Sequence, residues 1–258
     1  MITRYGAFIL AAQLTFGLSA SAQDHLEPEE GILNQRESQL EYAKRLREVL
    51  LKDAAGYHLA RMVCLPAFEA EWIVTVVREN GQDLDAPHSY YVEYVGAGKK
   101  LSPPTESQGI GVKKSRATLD PETAESLNKT WRRMLRRTRY PSEPRLGADG
   151  VSYHFSRFVP LVDRGQPEPL AGWEQGTIWT PDGESVCGEL VGIGERLKEY
   201  AQAKPEDRNR IRSEIRARVD KLRTELDRRG RVEEANDRVG SCAHYSPGSY
   251  GRDMRPVP

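Results

Sequence analysis

The segment Trp72-Ile73-Val74-Thr75-Val76-Val77 places the strongest constraint on how this chain can fold. It is apolar on both faces and rich in β-branched residues, which is typical of a strand that is covered on both sides. Ser89 to Val95 predicts a partner strand, because its residues alternate and place Tyr90 and Tyr94 together on one face. The chain is therefore expected to build layers around a sheet.

Further segments have the periodicity of strands or the starting residues of helices. Strands are expected near Val112 to Leu119, Val151 to Phe158 and Gly176 to Thr180. Helices are expected from Pro28 to about Asp53, from Asp120 to about Thr138, over Leu190 to Tyr200, and from Pro205 onward. The pattern predicts an α+β fold: a small, mostly antiparallel sheet of about four or five strands with packed helices, plus an N-terminal helix and a long charged C-terminal helix.

The last of these helices carries a narrow apolar seam. Its apolar residues step by three or four positions and are flanked by Arg and Glu: Ile211, Ile215, Val219, Leu222 and Leu226. Such a stripe is typical of a helix that packs by one edge, either on its own domain or against another helix. Self-association through this seam is therefore one hypothesis.

The first residues have the composition of an export signal. Arg4 precedes an apolar run from Ala7 to Leu18, and Ala20-Ser21-Ala22 supplies small residues before Gln23. Cleavage near Ala22-Gln23 would release a periplasmic or secreted protein, since the run is too short to span a bilayer of roughly 30 Å comfortably. The expected organisation is a signal peptide (1–22), an N-terminal helical segment (23–57), an α+β core domain (58–203), a charged amphipathic helix (204–240) and a flexible tail (241–258).

The sequence contains three cysteines, in a compartment where disulfides persist. Cys64 and Cys187 adjoin expected core elements, whereas Cys242 lies in a tail rich in Ser, Gly and Pro, so a Cys64–Cys187 disulfide is predicted. The scattered cysteines lack the paired spacing of a zinc cluster. The sequence thus predicts no metal site and no cofactor.

Charge is balanced over the whole chain, with 38 basic and 38 acidic side chains. A local basic patch stands out after Trp131: Arg132, Arg133, Arg136, Arg137 and Arg139. Guanidinium groups bind carboxylates and phosphates, so another protein with an acidic surface, an anionic lipid surface or an anionic envelope polymer is the expected partner, and nucleic acid is not. The alternative is a solvated helix face that Glu122, Glu125 and acidic residues of other helices neutralise.

His154 is the candidate general base, because it lies on an expected strand and faces away from Tyr153 and Phe155. A carboxylate from Glu93 or Asp149 could orient it. The alternative is an exposed or hydrogen-bonded histidine with no catalytic role.

Three functional hypotheses follow from these patterns. The leading one is an exported, soluble binding protein of the cell envelope or secreted space, of the inhibitor or immunity type, with the arginine-rich helix as its interface. The second is an envelope-polymer hydrolase that uses His154 and a carboxylate. The third is a structural protein that self-associates through the C-terminal helix.

Overall fold

The computed structural model describes residues 24–29, 37–52, 58–79, 88–101, 109–141, 149–161 and 170–243. The expected signal peptide (1–22) lies outside these residues. Of the expected flexible tail, only 241–243 are described, and they are helical.

The fold is built on a six-stranded antiparallel sheet. Its strands are β1 (Ala60–Pro66), β2 (Trp72–Glu79), β3 (Ser89–Ala97), β4 (Val112–Leu119), β5 (Val151–Leu161) and β6 (Leu170–Trp179). They lie in the order β4-β3-β2-β1-β5-β6, so β1 and β2 are central and β4 and β6 are the edges.

The part of the chain that the structure describes has four helices beside the sheet: α1 (Glu37–Leu46), α2 (Pro121–Leu135), α3 (Val186–Gln202) and α4 (Pro205–Ala243). A π-helical turn, Arg47–Leu51, continues α1. The predicted α+β class, with its small antiparallel sheet and its long charged C-terminal helix, is confirmed. Strand β1 was not predicted from the sequence.

The two faces of the sheet bury separate apolar clusters. Trp72, Val74 and Val76 of β2 point into the larger cluster, which also contains the apolar faces of α2, α3 and α4. Ile73 points the opposite way, into a smaller cluster with Leu50 of the π-helical turn. The two-sided apolar character of the Trp72–Val77 segment therefore results from layers on both faces.

Helix α3 lies very close to the sheet. A Cβ atom added at Gly194 would come within 2.2 Å of the Met62 side chain on β1. Glycine at this position lowers the stability of the helix, but it allows α3 to pack closely against β1.

The apolar seam of α4 is part of the main core. Ile211, Ile215, Val219, Leu222 and Leu226 are all at most 1 % exposed, and they pack with α2 and α3 within the same chain. Self-association through this seam was therefore a wrong expectation, because burial in the core leaves these side chains unavailable to a second copy. The sequence allowed the seam to pack either on its own domain or against another helix elsewhere, and the structure shows that it packs on its own domain.

The N-terminal segment is not helical from Pro28. Residues 24–29 are extended, and Glu27 forms two backbone hydrogen bonds of 2.8 Å with Thr177 on β6. Leu26 is fully buried in the main cluster. Within the described residues, the first helix begins at Glu37, whereas residues 24–29 pair with the edge of the sheet at Glu27.

No disulfide joins Cys64 to Cys187, so this predicted pair was wrong. Both side chains are buried in the main cluster, Cys64 on β1 and Cys187 in the first turn of α3, where they act as small apolar groups. Burial raises the pKa of the Cys64 thiol to about 12, which disfavours the thiolate that disulfide chemistry requires.

Candidate functional site

Helix α2 is held rigidly at its first turn. The carboxylate of Asp120 caps the helix by accepting hydrogen bonds from the Thr123 N–H (2.9 Å) and the Thr123 hydroxyl. Arg216 of α4 donates to the same carboxylate at 2.6 Å. The helix that carries the arginine cluster is therefore fixed relative to α4.

The structure divides the five arginines between structural and exposed positions. Arg133 is partly buried, and its Nη1 lies 2.5 Å from Oδ1 of Asp227, so it ties α2 to α4. Arg137 is also partly buried. Arg132, Arg136 and Arg139 are exposed, and they are followed by Tyr140, which is 70 % exposed.

Positive charge is concentrated where α2 ends beside β6. The carboxylate of Glu174 lies 3.6 Å from the Arg136 guanidinium and 3.2 Å from that of Arg157. Burial lowers the pKa of Arg157, Glu174 opposes this effect, and the positive charges of Arg132 and Arg136 lower the pKa further. Two guanidiniums thus share the carboxylate of Glu174, and the charge of Arg132 acts on one of them, Arg157.

Three further basic residues, which lie on β4, are not part of this group. Lys113, Lys114 and Arg116 lie on β4, at the edge of the sheet opposite to β6. Arg116 instead stacks on Tyr91 and pairs with Glu79. We define the α2–β6 surface as Arg132, Arg136, Arg139 and Tyr140.

A second feature is a cleft of 280 Å³ between α1 with its π-helical turn and the other face of the sheet. Its lining comes from α1 and its π-helical turn and from β1, β5, β6 and the N-terminal segment, and it includes both apolar and polar side chains. The lining residues are Glu29, Tyr42, Ala43, Leu46, Arg47, Leu51, Arg61, Val63, Leu65, His154, Ser156 and Gln175.

His154 lies in this cleft, and its carboxylate partner is Glu29. The Nδ1 atom of His154 is 3.3 Å from Oε1 of Glu29. Glu93 on β3 and Ser156 on β5 occupy the same register position of the sheet, three strand spacings apart, which is about 14 Å. Glu93 is therefore too far away to orient His154. Asp149 precedes β5, whose fourth residue is His154, which separates them by at least about 10 Å. Neither of the carboxylates suggested by the sequence is the one at His154.

Two further polar groups of the cleft were missed in the sequence. Ser156 shares a strand face with His154, and its hydroxyl is 2.9 Å from Nε2 of His58, which is 2 % exposed. Arg61 lies beside Ser156 in register on β1, and its Nε donates to the Thr75 hydroxyl at 3.3 Å. Burial lowers the pKa of Arg61 to about 10, an effect that the charge of Glu93 opposes.

Period-two alternation places Ser156 on the same strand face as His154, but it does not mark the hydroxyl as a group of the cleft. Arg61 could have been noticed as a charge within the apolar stretch Ala60–Leu65. Glu29 gave no local signal, since its position depends on the pairing of Glu27 with Thr177.

Within the described residues, no cluster of His, Cys, Asp and Glu side chains could hold a metal ion. Among the same residues, no helix combines the length and the apolar character needed to cross a bilayer. No protein-family model, no curated protein and no solved structure matches this chain.

Proposed function

We propose that this chain is an exported binding protein that uses the α2–β6 surface to hold an acidic partner in the cell envelope or secreted space. The observation that carries the proposal is the excess of guanidinium groups around one carboxylate, Glu174, beside exposed Arg139 and Tyr140. Arginine and tyrosine are enriched among the residues that dominate binding at protein interfaces. A carboxylate of the partner would be attracted by the charge that Glu174 leaves uncompensated.

An acidic protein surface fits this site better than a uniform anionic surface does. The exposed arginines lie on one helix end and beside an aromatic ring, an arrangement that offers both directional hydrogen bonds and apolar contact. An anionic envelope polymer would need charge but no aromatic contact.

Charge reversal tests the surface. The triple variant Arg132→Glu, Arg136→Glu, Arg139→Glu is expected to lose at least tenfold in capture of its partner from an envelope extract, an effect of about 1.4 kcal/mol or more. Arg223→Glu on α4 is the matched control, because Arg223 is exposed and pairs with a neighbour on its own helix. Protease treatment of the captured material separates a protein partner from a polymer. Equal capture by the triple variant and the control would refute the proposal.

Export is the second part of the proposal and has its own test. The mature protein should begin at Gln23 and fractionate with envelope or medium proteins, as the signal-like residues 1–22 suggest. N-terminal sequencing of protein isolated from the native host checks this point. An intact Met1 in the cytosolic fraction would contradict it.

A hydrolase is the second candidate function, and the pair His154–Glu29 is the observation that favours it. With Nδ1 of His154 directed at the carboxylate, Nε2 could take a proton from a water molecule that attacks an envelope polymer. His154→Gln should abolish release of dye from a dye-labelled envelope polymer, whereas His88→Gln should not. Absence of release by the unaltered protein would remove this candidate.

A further inference from the structure

Trp173 is a large aromatic side chain that the fold holds in place but leaves accessible. It lies on the edge strand β6 and is 48 % exposed. Its indole packs against the ring of His58 at a centroid distance of 4.8 Å and meets the ring of Phe158 edge-on at 5.2 Å. His58 is 2 % exposed, and Phe158 is in register with Trp173 on β5, so both supporting rings belong to the body of the fold. A ring that is positioned in advance costs less entropy when it binds a ligand.

The position of Trp173 connects it to the cleft that contains His154. Side chains two residues apart on a strand share a face, so Trp173 lies on the same face as Gln175 and Thr177. Gln175 lines the cleft, and Thr177 is in register with His154. The rise of a strand places Gln175 about 7 Å and Thr177 about 14 Å from Trp173. A ligand that stacks on Trp173 and extends along β6 would therefore enter the cleft at Gln175.

The surroundings of the indole favour an uncharged ligand. Glu174 is the only charged residue in the sequence of β6, and alternation places it on the opposite face, where it pairs with Arg157. Gln175 is exposed, and its amide group can both donate and accept hydrogen bonds. Strand β6 therefore offers an aromatic ring and a neutral polar group on this face, which suits a molecule that carries hydroxyl groups.

A sugar ring matches this pair of groups. The face of an aromatic ring carries partial negative charge, and the axial C–H groups of a pyranose ring carry partial positive charge, so the two stack favourably. The hydroxyl groups around the sugar ring remain available to the amide of Gln175. A purely apolar partner would cover the indole but would offer nothing to this amide, and a polar group that is buried without a hydrogen bond is costly.

We propose that Trp173 and Gln175 form a binding site for a neutral polysaccharide chain, with one sugar ring stacked on the indole and the chain extending along β6 toward His154. The site itself does not depend on catalysis. Its continuation into the cleft names the substrate class of the hydrolase candidate and rests on that part of the proposed function. The site is separate from the α2–β6 surface, because Trp173 and Glu174 point to opposite faces of the sheet.

Titration calorimetry of the mature chain with two hexasaccharides tests the ligand class. Chitohexaose and cellohexaose are the probes, since both are neutral chains of β-linked pyranose rings with apolar faces. At least one should bind saturably at millimolar concentration or below. Its affinity should change by less than about twofold between about 0.05 and 0.5 M NaCl, because binding forms no ion pair that salt could screen. Absence of saturable binding by both probes, or a steep loss of affinity with salt, would overturn the proposal.

Variants locate the site. Trp173→Ala should weaken hexasaccharide binding at least about tenfold, because it removes the stacking surface. Phe68→Ala is the matched control, since Phe68 is 76 % exposed but lies in the connection between β1 and β2. Gln175→Ala should weaken binding about two- to tenfold, and it serves alone if Trp173→Ala fails to unfold cooperatively in urea, because Gln175 is exposed. Undiminished binding by either folded variant would refute the location.

Release of dye from the dye-labelled envelope polymer distinguishes this site from the catalytic candidate. Saturable hexasaccharide binding without dye release would support the sugar site and remove the hydrolase. Dye release that Trp173→Ala leaves unchanged at limiting substrate would support the hydrolase and contradict the sugar site.

Discussion

Among the described residues, the buried carboxylates of Glu71 and Glu189 face partners from other parts of the fold. Glu71 is 1 % exposed and accepts hydrogen bonds of 2.9 Å from the Tyr42 hydroxyl and the Leu101 N–H. Glu189 on α3 is 7 % exposed and pairs with Arg218 and Lys221 of α4. Burial of a charge is costly without such partners, so these residues fix how the helices pack on the sheet and on one another.

The cysteines provide a prediction at the residue scale. In a Cys242→Ser background, Cys64 and Cys187 should remain unmodified by iodoacetamide at pH 8 in the native protein, because both are buried and the pKa of Cys64 is raised to about 12 by burial. Both should react in concentrated urea. Intact-mass measurement under the two conditions is the check, and resistance to alkylation in urea without reductant would reveal a disulfide after all.

Asp120 provides a prediction about pH. Burial alone raises the pKa of this carboxyl, but hydrogen bonds from Thr123 and Arg216 outweigh that effect and hold the pKa below its ordinary value. The stabilisation is complete above the unfolded-state pKa of about 3.9 and is lost as the pH falls toward the lower folded-state pKa. At pH 6, Asp120→Asn should lower the free energy of unfolding by about 0.5 to 1 kcal/mol.

Urea titrations at pH 6, 4 and 3 check this expectation. The difference between Asp120→Asn and the unaltered chain should shrink as the pH falls. Asp220→Asn is the control, because that carboxylate is 62 % exposed and should contribute little at any pH. A difference that stays constant across the series would exclude the carboxylate charge as its cause.

At the scale of elements, the sequence indicated most helices and strands but not β1 or the extended N-terminal segment. Asp120 and Pro121 gave the start of α2, and alternation gave β3, because both signals are local. Strand β1 lies between β2 and β5, and its place depends on partners that are distant in the chain. Residues 24–29 depend in the same way on the edge of β6.

The N-terminal segment should contribute strongly to stability. Leu26→Ala is expected to lower the free energy of unfolding by about 2 to 4 kcal/mol, because Leu26 is fully buried in the main cluster. Phe68→Ala is the control, since Phe68 is 76 % exposed and its loss should cost less than about 0.5 kcal/mol. Urea denaturation measures both, and similar midpoints would show that the segment is not part of the cooperative fold.

At the scale of the whole molecule, α4 completes the core. Its five apolar seam residues pack with α2 and α3, and ion pairs at Glu189 and Asp120 join the same three helices. A helix that shares a core in this way does not act as a detachable interaction module.

Truncation after Lys204 should therefore abolish cooperative unfolding, because it exposes the apolar faces of α2 and α3. A chain that ends at Ala243 should keep a cooperative transition, since it retains all of α4. Thermal unfolding followed by circular dichroism compares the two. A cooperative transition in the shorter chain would show that α4 is dispensable for the fold.

The sequence by itself determined the α+β class, most element positions and the arginine cluster, because periodicity, capping residues and local charge depend on near neighbours. Tertiary structure alone decided which arginines remain exposed, that the α4 seam is internal, and that Cys64 and Cys187 are not joined. The tertiary structure also places the Glu29 carboxylate beside His154 and Arg61 beside Ser156. These outcomes depend on strand order and register, which are set by contacts between residues far apart in the chain.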